Sequence, residues 1–297
     1  MRKYKSRGYI NGILAAISYG TNPLFALPMY NLGMGVNSVL FYRYLFAVII
    51  YGLWLKFFKK TSFKITLKEF CALIVMAVLF AMSSVTLFSS FKYIDSGIAC
   101  TILFIYPIIA FLISSIFFKE KITKTVIFSM IITLIGILLL NNGGTKVLNI
   151  KGVCLILVSA FVYALYMVFV NYFKPIKHIK YDKLSFYVML LGLAVFIFNL
   201  KFCTELQPIN DWKLVACSIA LAIFPTIISL ETINIAIRLV GSTITAILGA
   251  LEPLTAIFFG VVIFGEVLTT KVILGIFLII FGVMLIILRD KISQIMR

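Results

Sequence analysis

Residues 236–286 read AIRLVGSTITAILGALEPLTAIFFGVVIFGEVLTTKVILGIFLIIFGVMLI. Two apolar runs, 240–264 and 272–288, flank the turn GEVLTTK, and Glu252-Pro253 interrupts the first run at its middle. A helix rises 1.5 Å per residue, so about 20 apolar residues cross the hydrocarbon of a bilayer. Neither run alternates polar and apolar residues, as the strands of a membrane barrel would. Working outward, eight more runs of the same kind lie at 8–30, 36–55, 70–91, 96–118, 125–142, 152–173, 184–200 and 214–237. Ten spans predict an all-α integral membrane protein whose connections are too short to hold a second folded domain. The first run lacks a small-residue cleavage site and reads as a retained helix rather than a signal peptide.

The composition agrees. Hydrophobic residues make up 63% of the 297 residues and charged residues 12%, against roughly 45–50% and 25% in soluble domains. One soluble core could not hide that surface, so lipid must cover most of it. A net charge of +17 raises the question of nucleic acid, and the placement of the charge answers it. Twenty of the 27 basic residues fall in the N-terminal tail, the even-numbered loops (56–68, 119–124, 174–183 and Arg238) and the C-terminal tail. Six fall in the odd-numbered loops. By the positive-inside rule this is an insertion signal. It predicts an inner-membrane protein with both termini cytoplasmic and no nucleic-acid partner. The run Lys174–Lys183 needs no further reading than this one, although anionic lipid is a second candidate.

The chain also repeats. Adding 146 to positions near 92–140 pairs Ser96 with Ser242, Pro107 with Pro253, Glu120 with Glu266 and Gly136 with Gly282. A weaker match at offset 144 pairs Gly8 with Gly152, Ala16 with Ala160, Tyr19 with Tyr163 and Phe25 with Phe169. Units of five spans, 1–146 and 147–297, follow. An odd number makes the second enter from the opposite face, which gives two inverted five-helix repeats with substrate held near the midplane between them.

The stretch quoted above resembles the C-terminal half of an EamA domain, the unit of the drug/metabolite transporter superfamily. Tyr93 to Leu140, with Tyr106-Pro107 and the Lys119-Glu120-Lys121 turn, resembles its partner in the first copy. Ser18-Tyr19-Gly20 is similar to the family's aromatic-Gly signature in the first helix, and Arg43 fits the second. The resemblance implies ten helices, cytoplasmic termini and export or exchange of small metabolites. It leaves the solute open among amino acids, drugs, nucleotide sugars and others. The first copy departs from the second by carrying Tyr106 where the second has Glu252.

Ionised groups inside hydrocarbon are expensive, and three fall well within spans. Glu252 precedes Pro253, which lacks an N–H and crowds the Gly249 carbonyl. The helix is expected to bend there and leave a free carbonyl beside a carboxylate suited to an amine-bearing substrate or a proton. The alternative for Glu252 is a packing role. Arg43 can clamp a substrate carboxylate with its planar fork, or hold its helix in place. Glu231 is either a second functional charge or the counterion of Arg238 two turns along. Tyr19, Asn22, Tyr106, Tyr163, Tyr166 and Asn234 must find polar partners inside apolar helices. The resemblance places their helices around the central cavity, and their alternative is ordinary packing. Pro23, Pro28, Pro107, Pro225 and Pro253 are candidate bends. Glu120 and Glu266 read as turn and capping residues, and Ala246, Gly249 and Ala250 as a close-packing strip.

What is missing narrows the chemistry. The one histidine, His178, lies in a basic loop, and the five cysteines form no CxxC pair. No phosphate-binding loop, dinucleotide fingerprint or nucleophile elbow is present. We therefore expect no metal, no cofactor and no enzyme activity, and transport driven by gradients or exchange. The reading is a secondary exporter of amino acids or related small metabolites by alternating access, with the small molecule, the bilayer and a candidate proton as its partners. An uptake carrier or exchanger of another solute, or a non-transporting membrane sensor, is the alternative.

Overall fold

The computed structural model describes residues 2–94, 96–120, 123–140, 149–264 and 269–295. Lys121 and Glu266, which figure in the sequence analysis, lie outside the described residues. All regular elements among the described residues are helical. They are α1 (Arg2–Tyr19), α2 (Asn22–Asn31), α3 (Val36–Phe57), α4 (Leu67–Ser90), α5 (Ser96–Leu103), α6 (Tyr106–Phe118), α7 (Lys124–Leu139) and α8 (Ile150–Tyr172). There follow the short α9 (Lys174–Lys177), α10 (Tyr181–Asn199), α11 (Trp212–Ala222), a π-helical turn (Ile223–Ile228), α12 (Ser229–Val240), α13 (Ser242–Leu248), α14 (Leu251–Phe264) and α15 (Thr270–Ile295). Seven stretches are long and apolar enough to cross a membrane: Val36–Phe57, Leu67–Ser90, Ile150–Tyr172, Tyr181–Asn199, Trp212–Val240, Ser242–Phe259 and Thr270–Leu288. Tyr106–Phe118 and Lys124–Leu139 are shorter apolar helices.

Polar residues start several of these helices. Thr66 and Glu69 form a reciprocal capping box on α4, while Asn149 and Asp211 cap α8 and α11 by accepting from Lys151 and Lys213 N–H. Each satisfies an amide that helix geometry leaves unpaired.

Four apolar runs arrive as broken helices, and at three of the breaks a proline explains the local bonding. A proline removes the N–H that would bond the carbonyl four residues back. Pro23 thus deprives Tyr19, whose carbonyl is instead taken by the Asn22 side-chain amide at 2.9 Å. Pro225 deprives Leu221, and the Thr226 hydroxyl donates to that carbonyl at 2.6 Å within the π turn. Pro253 deprives Gly249, which accepts the Glu252 N–H at 2.9 Å. The bend expected at Glu252-Pro253 is therefore present, between Leu248 and Leu251. The free Gly249 carbonyl expected beside it is not, because a three-residue backbone bond satisfies it.

The ends of the helices gather at two faces. Arg7 donates to Tyr181, Lys59 pairs with Glu231, Thr61 reaches Asp182, and Arg238 donates to the Ile176 and Ile179 carbonyls. Residues near 7, 59–64, 176–187 and 231–240 thus share one face, rich in Lys and Arg. At the opposite face Gln207 bonds Gly33, Gly35, Ser38 and Tyr42, and Lys151 lies over the Tyr93 ring.

Glycines bring helices from distant parts of the chain into close contact. A Cβ on Gly8 would meet Val240 and Leu239 at 2.6 and 2.9 Å, and one on Gly152 would meet Ile94 and Tyr93 at 2.9 and 3.0 Å. Likewise Gly136 lies against the Gly275 carbonyl and Gly282 against that of Ser129, at 2.8 and 3.0 Å from the Cβ positions. Large apolar side chains such as Phe117, Leu138 and Phe277 point outward, where lipid is the fitting solvent. Tyr44, Tyr51, Tyr106 and Tyr166 fill the interior.

Candidate functional site

The break between α1 and α2 lies against the start of α14. Gly20 makes this possible: a Cβ there would stand 2.5 Å from the Glu252 carbonyl oxygen and 2.8 Å from Thr255. Beside this crossing a small cleft, with about 20 Å³ open to the centres of water-sized molecules and about 300 Å³ only when the open solvent at its mouth is counted, is lined by Tyr19, Gly20, Asn22, Pro23 and Glu252. Leu87 near the end of α4, Phe91 just past it, and Cys100 and Leu103 of α5 complete the wall. Three of the expected site residues, Tyr19, Asn22 and Glu252, thus meet around one space.

Two more stand directly behind them. Tyr106 donates to Glu252 Oε1 at 3.4 Å, and its hydroxyl occupies the space where a side chain on Gly249 would begin. Tyr163 stacks on Tyr19 at 6.0 Å between centroids and meets the edge of Tyr106 at 5.0 Å. Glu252 is 9% exposed, and the nearest donor to its carboxyl is a phenol at a long distance. The Asn22 amide nitrogen is held by Tyr19, and its Oδ1 has no hydrogen-bond partner among the described residues. The site is therefore aromatic, acceptor-rich and without a basic side chain on its wall.

The remaining expected residues lie elsewhere. Tyr166 donates to Asn234 at 2.9 Å, and Asn234 donates to Ser185 at 2.9 Å. This chain stitches α8, α12 and α10 together. Arg43 is fully buried and points at the π turn, with Nε donating to Thr226 Oγ1 at 2.5 Å and Nη2 to the Pro225 carbonyl at 3.0 Å. Its guanidinium also lies 5.3 Å from the Phe88 ring centre. Such a cation gains from carbonyls and an aromatic face rather than from a carboxylate. Glu231 pairs with Lys59 at 2.6 Å, not with Arg238, which serves the Ile176 carbonyl of α9 and the Ile179 carbonyl just past it. Glu120 accepts from Tyr172 and Thr243 at 2.9 and 3.3 Å and joins the ends of α6 and α8 to α13.

Leu87, Phe91, Cys100 and Leu103 were not foreseen. Their sequence signal is that of any lipid-facing position, so nothing in the chain marks them. Among the described residues no three His, Cys, Asp or Glu side chains cluster as a metal site.

Comparison with known proteins places this geometry. The model of the EamA-like transporter family matches residues 6–142 and 150–288. An uncharacterized transporter of Archaeoglobus fulgidus is 32% identical over 77 residues, 26% of this chain. That match spans 27% of the relative's own length. A protein of known crystal structure shares the fold with a TM-score of 0.80 at 15% identity, over 97% of this chain and 99% of that one.

Proposed function

The chain belongs to the EamA-like transporter family, and from that premise we propose a secondary exporter of amino acids or related small metabolites that works by alternating access. The observation that carries the proposal is the buried carboxyl of Glu252 at a helix break, beside a cavity where residues of both matched segments meet. Carriers of this kind hold their solute near the midplane at discontinuous helices.

We assign ten crossings in two inverted repeats, counting α1–α2, α5–α6, α11–α12 and α13–α14 as one crossing each. The glycine contacts support this arrangement. Gly8 on Val240 and Leu239 corresponds, with the repeats exchanged, to Gly152 on Ile94 and Tyr93. Gly136 on Gly275 corresponds in the same way to Gly282 on Ser129. A two-fold axis in the membrane plane produces such reciprocal pairs. The Lys- and Arg-rich face is assigned to the cytoplasm of a cell whose inner membrane holds the protein.

In that orientation the cavity lies on the outer side of Glu252. Below it, the Tyr166–Asn234–Ser185 chain, the Ser114–Ser242 contact at 3.2 Å and the Glu120 cluster tie the helices together. This is the shape expected after release of an exported solute. Alternation would undo those ties and close α2 against α4 and α5.

The test is counterflow of labelled amino acids in liposomes holding the purified protein. Wild-type flux with flux from Glu252→Gln reduced at least about tenfold, the size expected for one charge-assisted contact, supports the mechanism. An unchanged rate and pH dependence in Glu252→Gln would remove that residue from it. Flux only toward the basic face would make the protein an uptake carrier. Specific binding without flux of any solute would make it a sensor.

A further inference from the structure

We propose that the cavity beside Glu252 selects a small primary ammonium over a zwitterion or an anion, with Asn22 Oδ1 as the second acceptor. The proposal rests on the cavity being the solute site, and it narrows the solutes proposed above from amino acids to the amines among their related metabolites.

The orientation of Asn22 follows from the backbone. Pro23 has no N–H for the Tyr19 carbonyl, so that carbonyl draws the Asn22 amide nitrogen to 2.9 Å. A carbonyl only accepts, which fixes which end of the amide faces it. The oxygen is the atom left over. Asn22 lines the cavity at 2% exposure, and Oδ1 has no partner among the described residues. A buried acceptor without a donor is costly unless an occupant supplies one.

Glu252 supplies the first acceptor and the charge. Tyr106 reaches only one of its oxygens, at 3.4 Å, which leaves room for stronger donors. An ammonium has three N–H donors and no acceptor. It can serve both groups at once.

A carboxylate has no such reception. None of the nine lining residues is Lys, Arg or His. The Gly20 and Thr21 N–H groups are bonded inside the turn, to the Ala16 and Ser18 carbonyls, and Pro23 has none. Arg43 is absent from the wall and donates to Thr226 and Pro225. A carboxylate on the occupant would face Glu252 with only the neutral Tyr19 hydroxyl and the weak Cys100 thiol as wall side chains able to donate to it. The remaining wall, Leu87, Phe91 and Leu103 with the Tyr19 ring, offers apolar surface to the body of an amine, which has to part α2 from α4 and α5 to enter fully.

The experiment compares phenethylamine, phenylalanine and phenylpropionate, which share the ring and differ in charge. Binding is measured by calorimetry on the purified protein, and flux by counterflow in liposomes. We expect phenethylamine to bind at least about tenfold more tightly than phenylalanine and phenylpropionate not to bind, as one unmet charged hydrogen bond predicts. Asn22→Ala should weaken phenethylamine about tenfold. Asn22→Asp should retain or tighten it, since an anionic acceptor replaces a neutral one. Pro23→Ala is expected to restore an N–H for Tyr19, release the Asn22 amide to turn, and narrow the preference for the amine.

Phenylalanine binding as tightly as the amine would overturn the proposal, as would binding of none of the three. So would equal losses for all ligands in Asn22→Ala. The two readings fail separately. Selective amine binding without flux would refute transport while upholding the selectivity, and amino-acid flux with no amine preference would do the reverse.

Discussion

The helices α1–α2 and α8 begin alike and end differently. Each presents a tyrosine to the same interior, and Tyr19 and Tyr163 stack on one another. Past the tyrosine, the first segment reads Gly20-Thr21-Asn22-Pro23 and breaks, while α8 reads Ala164-Leu165-Tyr166-Met167 and runs on to Tyr172. The break lets the Gly20 backbone approach the Glu252 carbonyl and leaves Asn22 with a free oxygen beside a cavity. In α8 the matching position holds Tyr166, whose hydroxyl is consumed by Asn234. Two related segments have therefore divided the labour. One is irregular and lines the space, and the other is regular and braces it.

Gly20→Val is the sharpest way to break that division. Its Cβ would meet the backbone of Glu252 at 2.5 Å, a neighbour that cannot turn aside as a side chain can. Transport should fall by about a hundredfold or more and stability by about 1–3 kcal/mol, the usual range for overpacking, read by counterflow and by thermal unfolding in detergent. Next comes Gly249→Ala, whose methyl would take the place of the Tyr106 hydroxyl. We expect about a tenfold rise in KM, with Tyr106→Phe giving a smaller rise of about fivefold, in line with one neutral hydrogen bond of modest geometry. Equal and negligible effects of both would mean that Tyr106 does not position Glu252.

On the bracing side, Ala164→Gly should leave the flux within about twofold while lowering stability by about 1 kcal/mol, the helix-interior penalty of glycine. A large loss of flux there would show that α8 must also be rigid for transport. Smallest of all is Glu231→Gln. Its ion pair with Lys59 sits near the basic face with side chains 20% and 33% exposed, so about 0.2–1 kcal/mol of stability and an unchanged rate are expected. A lost rate with normal yield would move Glu231 into the mechanism.

The uninterrupted runs at 36–55 and 70–91 were readable to within three residues as α3 and α4, because hydropathy and helix continuity coincide there. Runs with an internal proline were readable as apolar with a candidate bend at the proline, but the bonds that replace the lost N–H at Tyr19 and Leu221 were not. Hydropathy is blind to which carbonyl has lost its donor. The role of Glu252 as a buried carboxyl at a bend was legible from Glu252-Pro253 alone. Partner choice was not. Arg238 is the local candidate for Glu231, yet Lys59 arrives from 172 residues away, and Arg238 finds backbone carbonyls that no spacing rule foretells. Arg43 was read as a clamp or a brace, and the geometry places it in a socket made by a π turn. Leu87 and Leu103 carry no sequence mark that separates a cavity wall from a lipid-facing side.

The π turn at Ile223–Ile228 also sets a phase. A turn closed over five residues holds one residue more than an α turn, and each residue rotates the chain by about 100°. Everything downstream on α12 is rotated by that step relative to α11. The extra residue is what aims the amide of Asn234 inward at Tyr166 and Ser185 rather than toward lipid, and Arg43 with Thr226 holds the step in place. One residue too few in this stretch would act as a mistimed gear tooth. The helix would keep its length and hydropathy, yet turn its polar stripe away from the interior.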